Sequence, residues 1–199
     1  MIKGLSIILI AAMALTSCNR RSGGVTAAEL DLIHGADSIM RVLTIDNPLD
    51  SAVLRAQSSD LPVEFLKSED YQRLAELMIT TVTHPSQDGV GIAAPQVGLN
   101  RRVVAVQRFD KEGEPFEVYP NIRIISASEE KEAGAEGCLS VPDRRGEVLR
   151  SKKIIIEYVD ILNLNGDNLV VRETIQGFTA VIFQHEIDHL EGVLYIDRL

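Results

Sequence analysis

The chain has 199 residues, and its 29 acidic and 20 basic side chains give a formal net charge of −9 at pH 7. This acidic balance argues against a basic nucleic-acid-binding face, so no nucleic-acid partner is expected. Its length suits one domain with a well-buried core, and no internal repeat suggests otherwise.

Residues 1–17 have the pattern of a secretory leader. Lys3 is followed by an apolar run from Leu5 to Leu15, which is too short to span a bilayer. Ser17 before Cys18 resembles the lipobox of bacterial lipoproteins. That resemblance implies a cysteine lipidated and made the first mature residue, and a protein anchored by acyl chains in the envelope of a bacterium, facing the periplasm or the exterior. An ordinary secretory signal or a buried cysteine is the alternative.

Residues 18–26 contain two arginines, a serine and two glycines, which is typical of a flexible tether carrying the lipid. Thr26 and Glu29 then form a capping box, which predicts an extra N-terminal helix over residues 27–41. Residues 43–66 are predicted to be mostly irregular, because Pro48 and Pro62 interrupt them.

The rest of the chain predicts an α+β fold, with small mixed or antiparallel sheets packed around a central C-terminal helix. Leu74, Leu77 and Met78 have helical spacing within a helix predicted over residues 69–82. The last helix begins near Phe178. The predicted strands are 102–107, 117–119, 122–126, 153–159 and 168–174, the last two joined by an Asn165-Gly166 turn.

This last helix carries the pattern HEIDH at residues 185–189. His185 and His189 are four residues apart and share one helix face, so both imidazoles can bind one metal ion. Glu186 lies beside the first ligand, where its carboxylate can take a proton from a water on the metal.

In common HExxH metalloproteases the third ligand lies downstream of the second histidine. In this sequence we do not expect it there. The ten residues after His189 contain no histidine. Glu191 points off the ligand face, and Asp197 lies beyond a helix stop at Gly192. The third ligand is therefore expected upstream of His185.

Cys138 is the only thiol left once Cys18 is lipidated. A lone cysteine is usually a small buried hydrophobic residue. In the segment AEGCLSVP, however, Gly137 allows close backbone approach, and Leu139 offers a backbone N–H. Cys138 with the two histidines would form a three-ligand site with one open position for water.

Three segments together resemble the peptide deformylase family: GVGIAAPQ at 89–96, EGCLS at 136–140 and QHEIDH at 184–189. They occur in the family's order and spacing, and the resemblance covers roughly residues 41–199. It implies a catalytic domain over residues 42–199 that removes the formyl group from N-formylmethionyl peptides. It also implies one divalent metal ion on Cys138, His185 and His189, often Fe²⁺, with Zn²⁺, Ni²⁺ or Co²⁺ able to substitute.

The same resemblance gives roles to the remaining site residues. Glu186 becomes the general base and acid, while the side-chain amide of Gln96 and the backbone N–H of Leu139 hold the oxyanion. The substrate pocket is expected to be lined by Val90, Gly91, Gly137, Ile182 and Arg145, which would suit an unbranched apolar side chain. For Arg145, a solvated arginine on a strand stays open as the alternative.

Several alternatives remain beside this interpretation. Gln96 could merely cap a turn, and the protein could be a non-catalytic peptide- or metal-binding lipoprotein or an HExxH peptidase. A nucleotide loop is rejected because no G-x-x-x-x-G-K-[ST] pattern is present. Asp188 is predicted to be a structural ion-pair partner, and His34 and His84 to be surface residues. We expect a monomer.

One departure from the family affects the expected role. Its cytoplasmic members often carry a helix after the HEIDH segment, whereas this sequence stops at Leu199. We therefore expect no ribosome contact through such a helix, and deformylation outside the cytoplasm.

Overall fold

The computed structural model describes residues 24–164 and 169–199. The predicted leader, the lipidation site Cys18 and the Asn165-Gly166 turn lie outside these residues. The helices are α1 (Ala27–Gly35), α2 (Pro48–Leu54), α3 (Val63–Leu66), α4 (Glu69–Thr83) and α5 (Gly177–Leu190). The strands are β1 (Gly91–Ala93), β2 (Val103–Gln107), β3 (Phe116–Pro120), β4 (Arg123–Ala127), β5 (Lys131–Cys138), β6 (Val141–Ser151), β7 (Lys153–Val159) and β8 (Val170–Gln176).

The strands form three small antiparallel sheets. Their orders are β1-β2-β3, β4-β7-β8 and the hairpin β5-β6. Helix α5 contacts strands of all three sheets, so it lies at the centre of the fold. The predicted α+β class with a central C-terminal helix is confirmed.

The β1-β2-β3 sheet has a hydrophobic core on each face, because alternate side chains of a strand point to opposite sides. Val103 and Ala105 of β2 pack with α4 and with Ile33 of α1. Val104 and Val106 pack with side chains of α5. The sheet therefore separates α1 and α4 from the helix that carries the HEIDH segment.

The N-terminal helix is shorter than predicted. Its capping box is confirmed, since Thr26 and Glu29 bond reciprocally, but α1 ends at Gly35 and does not continue to Arg41. Arg73 of α4 donates to the carbonyl oxygens of Ile33 and Ala36. These bonds satisfy carbonyl groups that a longer helix would have used internally.

The prediction of a mostly irregular segment over residues 43–66 is wrong for two short helices. Pro48 is in the first turn of α2, where its missing N–H costs nothing, and Asn47 caps that helix through its side chain. Pro62 is the N-cap residue of α3. Both prolines begin helices in a region where we expected them to interrupt structure.

The β5-β6 hairpin was not predicted. Its first strand, Lys131–Cys138, consists largely of charged residues, alanine and glycine, which are depleted in strands, and most of it is exposed. Cross-strand pairing with β6 supplies the order that this local sequence does not indicate. By contrast, the strands that were predicted and the helix predicted over residues 69–82 have close counterparts in the structure.

Among the described residues, none of the helices combines the length and the apolar character needed to cross a membrane.

Candidate active site

Three candidate metal ligands meet where α5 passes the end of β5. His185 and His189 project from one face of α5, and Cys138 is the last residue of β5. The Sγ atom of Cys138 lies 3.2 Å from Nε2 of His189. One ligand atom from each of the three residues can be chosen so that all lie within 4.8 Å of one another. This spacing allows them to share one ion.

His185 is oriented by a buried carboxylate. Its Nδ1 lies 2.8 Å from Oε2 of Glu136, and Arg150 donates to both oxygens of that carboxylate, at 2.7 and 2.9 Å. Burial alone would raise the pKa of Glu136, but its bonds to Arg150 and His185 lower it to about 2. The ionised carboxylate holds the proton of His185 on Nδ1, which leaves Nε2 for a metal.

The donor set fits a divalent metal. Burial lowers the pKa of His189 well below its usual value, and the nearby charge of Arg150 adds to this effect. His189 is therefore neutral, as a metal ligand must be. One sulfur and two imidazole nitrogens also match the mixed ligand sets of catalytic zinc and iron sites.

Glu186 differs from its charged neighbours because it forms no ion pair with any of the described residues. Its side chain is buried, and among the described residues no group hydrogen-bonds its Oε2 atom. Burial raises the pKa of Glu186 to about 7. Gly91 makes room for it, because a Cβ atom built on that glycine would lie 2.5 Å from Oε1 of Glu186. This carboxyl group can thus hold or release a proton near neutral pH.

Gln96 makes two kinds of contact, one from each end of its amide. Its Oε1 accepts from the backbone N–H of Ala93 at 2.8 Å and so closes the turn after β1. Its Nε2 lies 3.6 Å from Sγ of Cys138 and 3.2 Å from Oγ of Ser140. The turn-capping alternative therefore accounts only for the contact of the amide oxygen, since the amide nitrogen faces the candidate ligand Cys138.

An open cleft of about 880 Å³ leads to these groups. All the residues predicted to bind substrate line this cleft: Val90, Gly91, Gly137, Ile182 and Arg145. Leu139 lines it as well. The turn between β5 and β6 brings Leu139 to one wall, and α5 brings Ile182 to the other. Cys18 lies outside the described residues.

The acidic side chains that follow Glu186 in the chain, and the two histidines outside the motifs, have ordinary structural partners. Asp188 forms ion pairs with Arg150 and Arg198, as predicted. Near the C-terminus, Glu191 pairs with Arg102 and Asp197 pairs with Arg55. Neither belongs to the ligand cluster. Elsewhere, His34 is largely exposed and bonds Asp70, while His84 is half-buried and bonds Ser86.

Sequence reasoning missed the supporting shell and part of the cleft. Glu136 was recognised only as part of the cysteine motif, although a carboxylate so near a candidate ligand is a usable signal, and Arg150 was given no role. Tyr195 stacks on His185, with ring centroids 6.1 Å apart. Phe178 and Val181 line the cleft as well. The available signal was helical spacing, because Phe178 lies four residues before Ile182 and Val181 four residues before His185.

Comparison with known proteins identifies a family for most of the chain. The profile described as polypeptide deformylase matches residues 39–199. A peptide deformylase of Leptospira biflexa is 36% identical over 169 residues, covering 81% of this chain and 88% of that protein. One from Caulobacter vibrioides is 40% identical over 164 residues, with the same coverage of both chains.

Solved structures agree. The actinonin-bound class I type b peptide deformylase of Acinetobacter baumannii is 34% identical, with a TM-score of 0.69, covering 82% of this chain and 99% of that one. The peptide deformylase of Thermotoga maritima is 35% identical, with a TM-score of 0.68, covering 82% of this chain and 99% of that one. On both the sequence and the fold, this chain belongs to the polypeptide deformylase family.

Proposed function

We propose that this protein is an exported, lipid-anchored deformylase in which Cys138, His185 and His189 hold Fe²⁺. Family membership makes it a metal-dependent enzyme that removes the formyl group from N-formylmethionyl peptides. The metal identity, the role of each residue and the location are the proposed parts. The observation that carries the catalytic proposal is the buried carboxylate of Glu186, which follows a candidate ligand and whose Oε2 has no hydrogen-bond partner among the described residues.

The metal would supply a nucleophile near neutral pH by lowering the pKa of a coordinated water from ~15.7 towards ~7. Fe²⁺ is the proposed ion because the family resemblance implies it; one thiolate with two imidazoles is compatible with Fe²⁺, and Zn²⁺, Ni²⁺ and Co²⁺ can use the same ligands. Glu136 and Arg150 hold His185 in the orientation that this ligand set needs.

Glu186 moves the proton in the proposed reaction. Its carboxylate takes a proton from the attacking water and delivers it to the amine that leaves when the formyl C–N bond breaks. Burial keeps its pKa near 7, so the same group can act first as a base and then as an acid.

Two donors would stabilise the charge that develops on the formyl oxygen. The Nε2 amide of Gln96 is held in place by the bond from Ala93 to its Oε1, and the backbone N–H of Leu139 is the second donor. Preorganised donors of this kind are worth about 3–4 kcal/mol each. The apolar side of the cleft, including Val90 and Ile182, would accept the methionine side chain.

Formate release from formyl-Met-Ala-Ser tests the catalytic proposal. Metal-loaded wild-type protein should hydrolyse this peptide, and Glu186→Ala should be slower by about 10²–10⁴-fold, the usual contribution of a general base. Equal rates from the two proteins would contradict the role of Glu186. Cleavage of unformylated Met-Ala-Ser would instead favour a peptidase.

The location is proposed from residues 1–18 alone. Lys3, the apolar run that follows and the Ser17-Cys18 pair match a lipoprotein signal. Expression in a bacterial host should place the wild-type protein in the membrane fraction with acyl groups on Cys18, and Cys18→Ala should lose both.

Metal analysis of anaerobically purified protein tests the proposal of iron, and sedimentation of the detergent-solubilised protein tests the proposed monomer.

A further inference from the structure

The segment that precedes the family-matched residues is folded onto the catalytic domain. The match begins at residue 39, whereas the structure describes the chain from Gly24 onwards. Ile33 of α1 is completely buried in the core shared with α4 and β2. A flexible tether would not bury a side chain in this way.

One arginine holds the beginning of this segment. Arg101, which is 6% exposed, donates to the carbonyl oxygen of Gly24 at 2.8 Å and to both oxygens of Glu29. It also donates to the Ser59 hydroxyl and to the carbonyl oxygen of Asp60 in the catalytic domain. Gly24, the first described residue, is thus bonded directly to the segment that immediately precedes β2.

A second arginine holds the end of the segment. Arg73 donates to the carbonyl oxygens of Ile33 and Ala36, at 3.0 and 2.6 Å. His34 adds a contact to Asp70, at 2.9 Å. Contacts of Arg101 at one end, Arg73 at the other and Ile33 between them therefore attach α1 to the domain along its length.

This docking site and the catalytic helix lie on opposite faces of one sheet. Ile33 packs in the core that contains Val103 and Ala105, whereas α5 packs in the core that contains Val104 and Val106. The β1-β2-β3 sheet therefore lies between α1 and α5.

We propose that residues 24–38 form a rigid mount that holds the side of the domain carrying α1 towards the bilayer and leaves the catalytic cleft facing water. The proposal rests on the lipid anchor at Cys18. Residues 19–23 are all that separate Cys18 from Gly24, so the six steps between them span at most about 20 Å. A domain held this closely, through a docked helix, keeps one orientation.

The net charge of the protein bears on how the domain is oriented at the membrane. The full chain has a net charge of −9, and removal of the leader with Lys3 would make it more negative, so overall electrostatic attraction to anionic lipid headgroups does not hold it on the membrane. Orientation then depends on the acyl anchor and on α1. The accessible substrates would be N-formyl peptides dissolved in the aqueous compartment, as opposed to N-termini embedded in lipid.

Tryptophan fluorescence provides a direct test, because the chain contains no tryptophan. One reporter is Ala28→Trp, at an exposed position on α1. The other is Phe178→Trp, at a cleft residue that is 58% exposed. Each lipidated full-length protein is placed in vesicles containing a dansyl-labelled phospholipid. We expect strong energy transfer from position 28 and weak transfer from position 178.

The outcomes separate the mount from the anchor. Equal transfer from both positions, or stronger transfer from position 178, in protein whose Cys18 carries acyl groups by mass spectrometry would overturn the mount alone. Absence of acyl groups would overturn the anchor and the mount together. Deformylase activity is measured on the same samples and stands apart from both.

A loosened mount is the matched control. Glu29→Gln weakens the bond to Arg101, and Ile33→Ala removes the apolar contact. Neither residue lies in the cleft, so both variants should retain formate release, which shows that they fold. In each, hydrogen exchange of residues 24–36 should accelerate, and the difference in transfer between the two reporters should shrink. An unchanged difference despite faster exchange would contradict the mount.

Discussion

Glu186 and Asp188 lie two residues apart on α5 and have opposite surroundings. Asp188 bonds Arg150 and Arg198, and Arg150 also holds Glu136. For Glu186, by contrast, no cation partner is found within the described chain, and one of its oxygens has no hydrogen bond there. One helix therefore carries a neutralised acid facing the hairpin and an unneutralised acid facing the cleft.

The comparison separates structural charges from chemical ones. A buried cation favours the ionised form of the carboxylate beside it, as the bonds from Arg150 and His185 do for Glu136, whose pKa they lower to about 2 despite its burial. A buried carboxyl group without a partner has a raised pKa and can exchange protons during a reaction. The partners, more than the depth of burial, distinguish the two roles, since Glu136 and Glu186 are both buried.

Removal of a ligand should have the largest effect. In Cys138→Ala the metal keeps only the two histidine ligands, so we expect metal content to fall well below one ion per chain and formate release to fall to that of metal-free protein. Metal analysis and the formyl-Met-Ala-Ser assay on the same sample check this. Cys18→Ala is the matched cysteine control and should retain activity. Full metal content in Cys138→Ala would refute the ligand assignment.

Loss of the shared cation should mainly affect stability. Arg150→Met leaves Glu136 and Asp188 as buried carboxylates without their common partner, which should lower the free energy of unfolding by about 3–5 kcal/mol. Urea denaturation measures it. Arg123→Met breaks an exposed ion pair with Asp60 and should cost far less. Similar losses from the two variants would argue against a special role for the buried network.

Crowding Glu186 should mainly affect activity. In Gly91→Ala the new methyl group would lie 2.5 Å from Oε1 of Glu186 and 2.8 Å from Cγ2 of Ile182, so the carboxylate must move. A displacement of about 1 Å can cost ~10²-fold in rate. Steady-state kinetics of Gly91→Ala beside Gly134→Ala checks this, because a Cβ at Gly134 meets nothing within 4 Å. Equal kinetics in the two variants would show that Glu186 tolerates displacement.

The smallest effect is expected at Tyr195. Its hydroxyl is buried and, in the part of the chain that the structure describes, has no hydrogen-bond partner. Tyr195→Phe keeps the ring against His185 and should raise the free energy of unfolding by about 1 kcal/mol, with little change in rate. Thermal unfolding and the deformylase assay measure both. A large loss of rate would extend the chemical role of unpartnered groups from Glu186 to this tyrosine.

The sequence predicted the catalytic face of α5 better than its supporting face. The i, i+4 spacing of His185 and His189 and the three ordered motifs depend on local sequence, so they could be recognised without a structure. Arg150 pairs with Glu136 across fourteen residues and with Asp188 across thirty-eight. Such pairs depend on the register of β5 and β6, and the polar, glycine-containing β5 gives little local indication of a strand.

The two short helices were missed for a different reason. Pro48 and Pro62 were interpreted as interruptions, yet proline is favoured in the first turn of a helix. The end of α1 was likewise set by Arg73, thirty-seven residues beyond the carbonyl group of Ala36. No pattern within residues 27–41 indicates that contact.

The central claim is that the unpaired Glu186 does the chemistry while the paired Asp188 maintains the structure. The most direct test measures kcat for formyl-Met-Ala-Ser and the free energy of unfolding on metal-loaded Glu186→Gln and Asp188→Asn, with metal content verified. We predict that Glu186→Gln loses about 10²–10⁴-fold in kcat with near wild-type stability, and that Asp188→Asn loses mainly stability. The reverse pattern, or wild-type kcat in Glu186→Gln, would contradict this account.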